Sequence, residues 1–184
     1  MTIILMRHGK PDHPFAGRLS AQGLADWCEA YDLSLVSDGP PDRSISIARK
    51  AAVVVCSPLP RAHSSLERLG LHPHHVDALF SEVGIPLLRA DRIQLPTFVW
   101  QAILRAMWFC GYAGETEPLQ HARARASRAA DRLIALSQQG TVLLLGHGIM
   151  NKMIARELRK RGWQAEKHAS SRHWSSAIYH RPFI

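Results

Sequence analysis

The feature that most constrains this chain is a set of short apolar runs that each stop abruptly on polar residues or glycine. Residues 2–11 read TIILMRHGKP, and the same grammar returns at 141–152, TVLLLGHGIMNK. A third run, Ala51–Cys56, leads into Ser57-Pro58-Leu59-Pro60-Arg61, and a fourth, His75–Phe80, into Ser81-Glu82. The runs show little alternation, which suits strands covered on both faces. A last strand is expected at Ser176–Arg181. Helix-length segments lie between them. Ser20 is placed to cap a helix burying Leu24, Trp27, Cys28 and Tyr31. Arg61–Leu69 follows a proline and stops at Gly70. Thr116 is placed to cap a helix running to Gln139, and Ile149–Arg161 is amphipathic and ends at Gly162.

Strands alternating with helices predict an α/β fold with a mostly parallel central sheet. With 184 residues and no linker, the whole of 1–184 is expected to form a single domain. In open sheets of this kind, ligands bind beyond the carboxyl ends of the strands. If the four runs are parallel neighbours, Arg7, His8, Arg61, Glu82 and His147 converge there.

Composition narrows the function classes. The three cysteines, Cys28, Cys56 and Cys110, are far apart and form no CxxC pair, so neither a disulfide framework nor a zinc site is suggested. The opening residues lack the basic flank and the length of a secretory signal. Residues 95–114 are apolar enough to suggest a membrane span. Arg105 sits at their middle, where a charge costs about 3 kcal/mol. The expectation is a soluble, cytoplasmic protein. The net charge of +8 is carried entirely by residues 93–184, with thirteen Lys/Arg against five Asp/Glu. No interleaving of aromatic and basic residues accompanies it, which argues against nucleic acid.

Two histidines, two arginines and a glutamate suit phosphoryl transfer. Arginine binds phosphate oxygens through a planar, permanently charged fork. An imidazole can attack phosphorus and carry the phosphoryl group covalently. Arg7, Arg61 and a protonated His147 would stabilise the equatorial oxygens. Gly9 and Gly148 would let phosphate approach the backbone, and the amides at Gly148–Ile149 would add donors at a helix N-terminus. Glu82 would protonate the leaving oxygen and then deprotonate water.

On these residues the sequence resembles the histidine phosphatase superfamily, also called phosphoglycerate-mutase-like. LMRHG, SPLPRAHSS, FSEVGIP and LLLGHG are similar to its successive motifs, and LSAQGLADW and GETEPLQHARAR to its intervening segments. The resemblance implies a three-layer α/β/α sandwich, no metal and no cofactor. It implies His8 as nucleophile, Arg7, Arg61 and His147 around the phosphate, and Glu82 as proton donor, with Glu115 as the competing acid. Many members carry serine and asparagine where this chain has Pro11 and Pro14, which argues for a phosphomonoester hydrolase over a mutase; Lys10 is a candidate to compensate. A phosphoglycerate-type mutase, a protein phosphohistidine phosphatase and a catalytically silent phospholigand-binding protein are the alternatives.

Between the two candidate acids, Thr97, Gln101 and Arg105 form a polar stripe on an otherwise apolar helix. Such a helix is expected to be largely buried. Trp100, Trp108 and Arg105 are candidate substrate contacts if it covers the pocket, and a homodimer is the other use of its apolar face. The partner expected is a phosphorylated small molecule.

Overall fold

The computed structural model describes residues 1–88, 92–167 and 170–182. In chain order the elements are β1 (Thr2–Arg7), β2 (Arg18–Leu19), α1 (Ala21–Leu33), α2 (Asp42–Ala48), β3 (Val53–Cys56) and α3 (Pro60–Arg68). They continue with β4 (His75–Val76), β5 (Leu95–Pro96), α4 (Thr97–Phe109), α5 (Leu119–Leu136), β6 (Val142–Gly146), α6 (Gly148–Lys160), β7 (Gln164–Lys167) and β8 (Ser176–His180).

Six strands form one sheet in the order β4-β3-β6-β1-β8-β7. The first four are parallel, while β8 and β7 run antiparallel to their neighbours, so the sheet is mixed. Successive side chains of a strand point to opposite faces, and the two cores divide accordingly. Ile3, Leu5, Val53, Val55, Val142 and Leu144 meet α5 and α6 on one side. Ile4, Met6, Val54, Cys56, Leu143 and Leu145 meet α2 and α3 on the other. The result is the three-layer sandwich. A third cluster outside the sheet joins α1 to α4 through Leu24, Trp27, Trp100 and Leu104.

Three expectations are corrected. The strand expected at His75–Phe80 keeps only His75 and Val76. Asp77 Oδ1 accepts the Leu79 amide at 2.9 Å and turns Ala78–Phe80 into a 3-10 turn. This is the local competition by which aspartate diverts backbone from a ladder. Thr116 caps no helix: its hydroxyl donates to the Ala113 carbonyl, and α5 starts after Pro118. The apolar α4 is not largely buried. Trp100, Leu104 and Trp108 face inward, but Phe98, Ile103 and Phe109 are exposed. Both α2 and β7 were unforeseen.

Ser20 does cap α1, accepting the Gly23 amide at 3.2 Å. No helix among the described residues is long and apolar enough to cross a membrane.

Candidate active site

Register explains how residues 139 positions apart become neighbours. Arg7 pairs with Gly146 at the ends of β1 and β6, and the His8 amide donates to the Gly146 carbonyl at 3.0 Å. The next residues out are therefore His8 and His147, whose ring centroids lie 5.2 Å apart. Cys56 opposes Leu145, so Ser57 follows beside His147, and its Oγ lies 2.6 Å from His147 Nε2. His8 and His147 sit in a cleft of ≈ 610 Å³ that Arg7, Arg61, Glu82 and Gly148 also line.

His8 is 2% exposed. Its Nδ1 lies 2.7 Å from the Gly9 carbonyl, which only accepts, so Nδ1 carries the proton and Nε2 presents a lone pair. Burial lowers its pKa from 6.5 to about 3. The Gly9 bond opposes this shift, and the charges of Arg61 and Arg7 add to it. His147 is held well below its ordinary value by burial, Arg61 and His8. Both shifts favour neutral rings in the protein alone, whereas the expected protonated His147 belongs to the phosphate complex. A neutral His147 still serves as a donor: Ser57 Oγ receives the Leu59 amide at 3.4 Å and can donate to Nε2, which leaves the proton on Nδ1. That Nδ1 is buried without a partner among the described residues, and so are Arg7 Nε and Arg61 Nε.

Arg61 is 2% exposed, not a surface residue. From α1, Asp32 accepts its Nη1 at 2.9 Å and the Tyr31 ring lies 4.8 Å beneath its guanidinium carbon. Arg7 is aimed by a bond from its Nη1 to the Ser171 carbonyl. Glu82 closes the start of α6, its two oxygens accepting the amides of Ile149 and Met150, each at 3.0 Å. The Ile149 amide is thus already engaged, which corrects its expected role as a phosphate donor. Glu115 is exposed and absent from the cleft wall, so of the two candidate acids only Glu82 lies at the site.

The glycines differ from expectation. A Cβ on Gly9 would come within 2.4 Å of Trp174 and Val36, and the Gly9 amide is spent on Ser65 Oγ at 3.0 Å. Gly9 is needed for packing, not for phosphate. Gly146 is confined by Asn151 in the same way, and of these three glycines Gly148 borders the cleft, beside Arg7 and Glu82.

Of the candidate substrate contacts, Arg105 lines the cleft, its guanidinium donating to the Gly84 and Val83 carbonyls at 3.0 and 3.3 Å. Trp100 and Trp108 do not. They are buried, and their indole N–H groups donate to the Leu19 and Glu117 carbonyls. Lys10 is exposed and lies outside the wall. The roof is made instead by Trp27, Phe98, Gln101 and Ala102.

Sequence reasoning missed the segment Ser170–Ser175. It positions Arg7, and His173 brings a third imidazole to 5.6 Å from His8. The only signal was a serine-rich stretch before a strand, which reads as loop and nothing more. Asn151, whose amide donates to the Met6 carbonyl at 3.1 Å, was also missed.

The family model described as histidine phosphatase superfamily (branch 1) matches residues 3–178. No curated protein is a significant sequence match. Among solved structures, the product of a Mycobacterium tuberculosis open reading frame is 18% identical, with a TM-score of 0.62, covering 96% of this chain and 89% of that one. A mycobacterial glucosyl-3-phosphoglycerate phosphatase is 20% identical with a TM-score of 0.55, covering 86% and 79%. A protein described as mycobacterial hydrolase 1 is 21% identical with a TM-score of 0.56, covering 86% and 78%. At these identities the structural likeness establishes the fold alone.

Proposed function

This chain belongs to the histidine phosphatase superfamily, and from that premise we propose that it hydrolyses phosphomonoesters of small molecules through a phosphohistidine on His8. The observation that carries the reading is the convergence on one cleft of a neutral imidazole with a free Nε2 and three buried donors without partners among the described residues. Nε2 of His8 attacks phosphorus as the ester P–O bond breaks. Arg7, Arg61 and Nδ1–H of His147 hold the equatorial oxygens, and the arriving dianion favours protonation of His147. Glu82 gives its proton to the leaving oxygen and later takes one from the water that cleaves the P–N bond. Oε1 already accepts the amides of Met150 and Val83, while Oε2 accepts only that of Ile149 and retains a lone pair for that exchange.

Beyond the phosphate, Phe98, Gln101 and Ala102 give α4 a part in choosing the leaving group. The three cysteines are free thiols, which supports a reducing, cytoplasmic setting.

The test is release of p-nitrophenol from p-nitrophenyl phosphate in EDTA. The wild type is expected to be active under chelation, and His8→Ala to lose at least about 10³-fold in kcat. Turnover that survives loss of His8 would overturn the nucleophile. No turnover on a broad phosphoester panel would favour a phospholigand-binding protein.

A further inference from the structure

The cleft extends well past the phosphate pocket, along the side of α6 that faces β8. There it is walled by Lys152, Ala155 and Arg159 and floored by Leu5, Ala177 and Tyr179. Resting on the phosphatase reading, the geometry points to a second anion subsite on this wall, formed by Lys152 and Arg159. Its substrates are small phosphomonoesters that carry another phosphate or carboxylate remote from the scissile one.

Lack of any side-chain hydrogen-bond or ion-pair partner among the described residues distinguishes these two cations from the arginines of the cleft. Arg7 is tied to the Ser171 carbonyl, Arg61 to Asp32, and Arg105 to the carbonyls of Val83 and Gly84. Lys152 and Arg159 make no ion pair or side-chain hydrogen bond with any described residue. The last turn of the same helix is different: Glu157 holds both Lys160 and Arg161, and Asp131 holds Arg161 as well. Among the described residues only two carboxylates line the cleft, Asp32 and Glu82, and both are engaged, with Arg61 and with the amides of α6. The basic wall therefore faces no compensating acid among the described residues.

Helix geometry sets the spacing. Seven residues are about two turns, so Lys152 and Arg159 project from one face. At about 1.5 Å per residue, Lys152 stands roughly 6 Å and Arg159 roughly 16 Å along the axis from Gly148, which borders the phosphate pocket. An anion held between them lies about 10 Å from the reacting phosphorus. That is the separation of a six-carbon spacer, not of adjacent phosphates.

The probes are hexane-1,6-diol bisphosphate and hexyl phosphate, with the full chain and phosphate release as readout. A bisphosphate with two equivalent ends has a statistical advantage of about two; the subsite raises the kcat/KM ratio to about ten or more at low salt. High salt shrinks it. Lys152→Gln/Arg159→Gln returns the ratio to about two, while Arg132→Gln, an exposed cation on α5, leaves it unchanged. A wild-type ratio near two, or a ratio that survives the double substitution, overturns the subsite even though both compounds are hydrolysed. Failure of the phosphatase reading looks different, because neither compound then releases phosphate. Calorimetric titration of the same pair then decides. A bisphosphate advantage lost in the double variant sustains the subsite, and equal binding ends it.

Discussion

On the floor of the cleft, Arg7, His8 and His147 stand at the ends of strands whose backbone pairing fixes their separation. On the roof, Phe98, Gln101 and Ala102 are carried by α4, which sits outside the sheet and packs Trp100 and Leu104 against α1. The floor is buried and hydrogen-bonded, with His147 and Arg61 almost wholly shielded; the roof leaves Phe98 63% exposed. The contrast separates two jobs. On the proposed mechanism, the groups that would meet one phosphorus atom are held by the paired strands of the central sheet, while those that would meet variable leaving groups rest on a satellite layer.

The contrast is attacked hardest at Glu82, which joins floor to helix. Glu82→Gln can still accept a helix amide but cannot cycle a proton. The expected loss in kcat is about 10²–10⁴-fold on an alkyl phosphate and far less on p-nitrophenyl phosphate, whose leaving group needs little protonation. Equal losses on both would reduce Glu82 to a helix cap.

The next prediction concerns the roof helix's anchor. Trp108 is fully buried in the main core and bonded to the Glu117 carbonyl. Trp108→Ala is expected to cost about 3–5 kcal/mol in urea unfolding. The surviving folded fraction should retain its rate on p-nitrophenyl phosphate. A selective loss of chemistry with stability intact would move Trp108 back into the site.

Floor histidines also make a pH prediction. His8 stays neutral in the fold down to about pH 3, while in the unfolded chain it takes up a proton near its ordinary 6.5. Below that value the unfolded state binds more protons, so stability falls as pH drops from about 6.5 toward 3. His8→Asn should remove about 3 kcal/mol of that fall by pH 4, and identical acid slopes in the two proteins would refute the burial argument.

The smallest effect belongs to the roof surface. Phe98→Ala should shift the ratio of kcat/KM between aryl and small alkyl phosphates by roughly two- to fivefold, within the range a partly exposed apolar contact provides. An unchanged ratio would remove α4 from selection.

Much of the floor was legible because sheet burial leaves a strong mark. Apolar runs at Thr2–Met6 and Thr141–Leu145 locate β1 and β6, and the polar residues after them fall where parallel strands bring them together. The sequence could not reveal that Gly9 is reserved for Trp174, since nothing local links positions 9 and 174. Arg61 was readable by position but not by burial, because its shielding comes from Tyr31 and Asp32 on α1. The roof misled for a related reason. Periodicity marks an amphipathic face without saying which neighbour covers it, so Trp100 and Trp108 stood as candidate substrate contacts beside an expectation of burial, and they are found in the core. The Ser170–Ser175 segment carries no periodicity at all, and its contribution, a carbonyl aimed at Arg7, is backbone chemistry that any residue supplies.

The most direct test is a rapid acid-free quench of the full chain with a ³²P-labelled phosphomonoester that it turns over, followed by peptide mapping. The account predicts a transient label on the peptide containing His8, stable in base, lost in acid and absent from His8→Ala. A label on any other residue, or turnover with no labelled enzyme on the timescale of the first cycle, would contradict it.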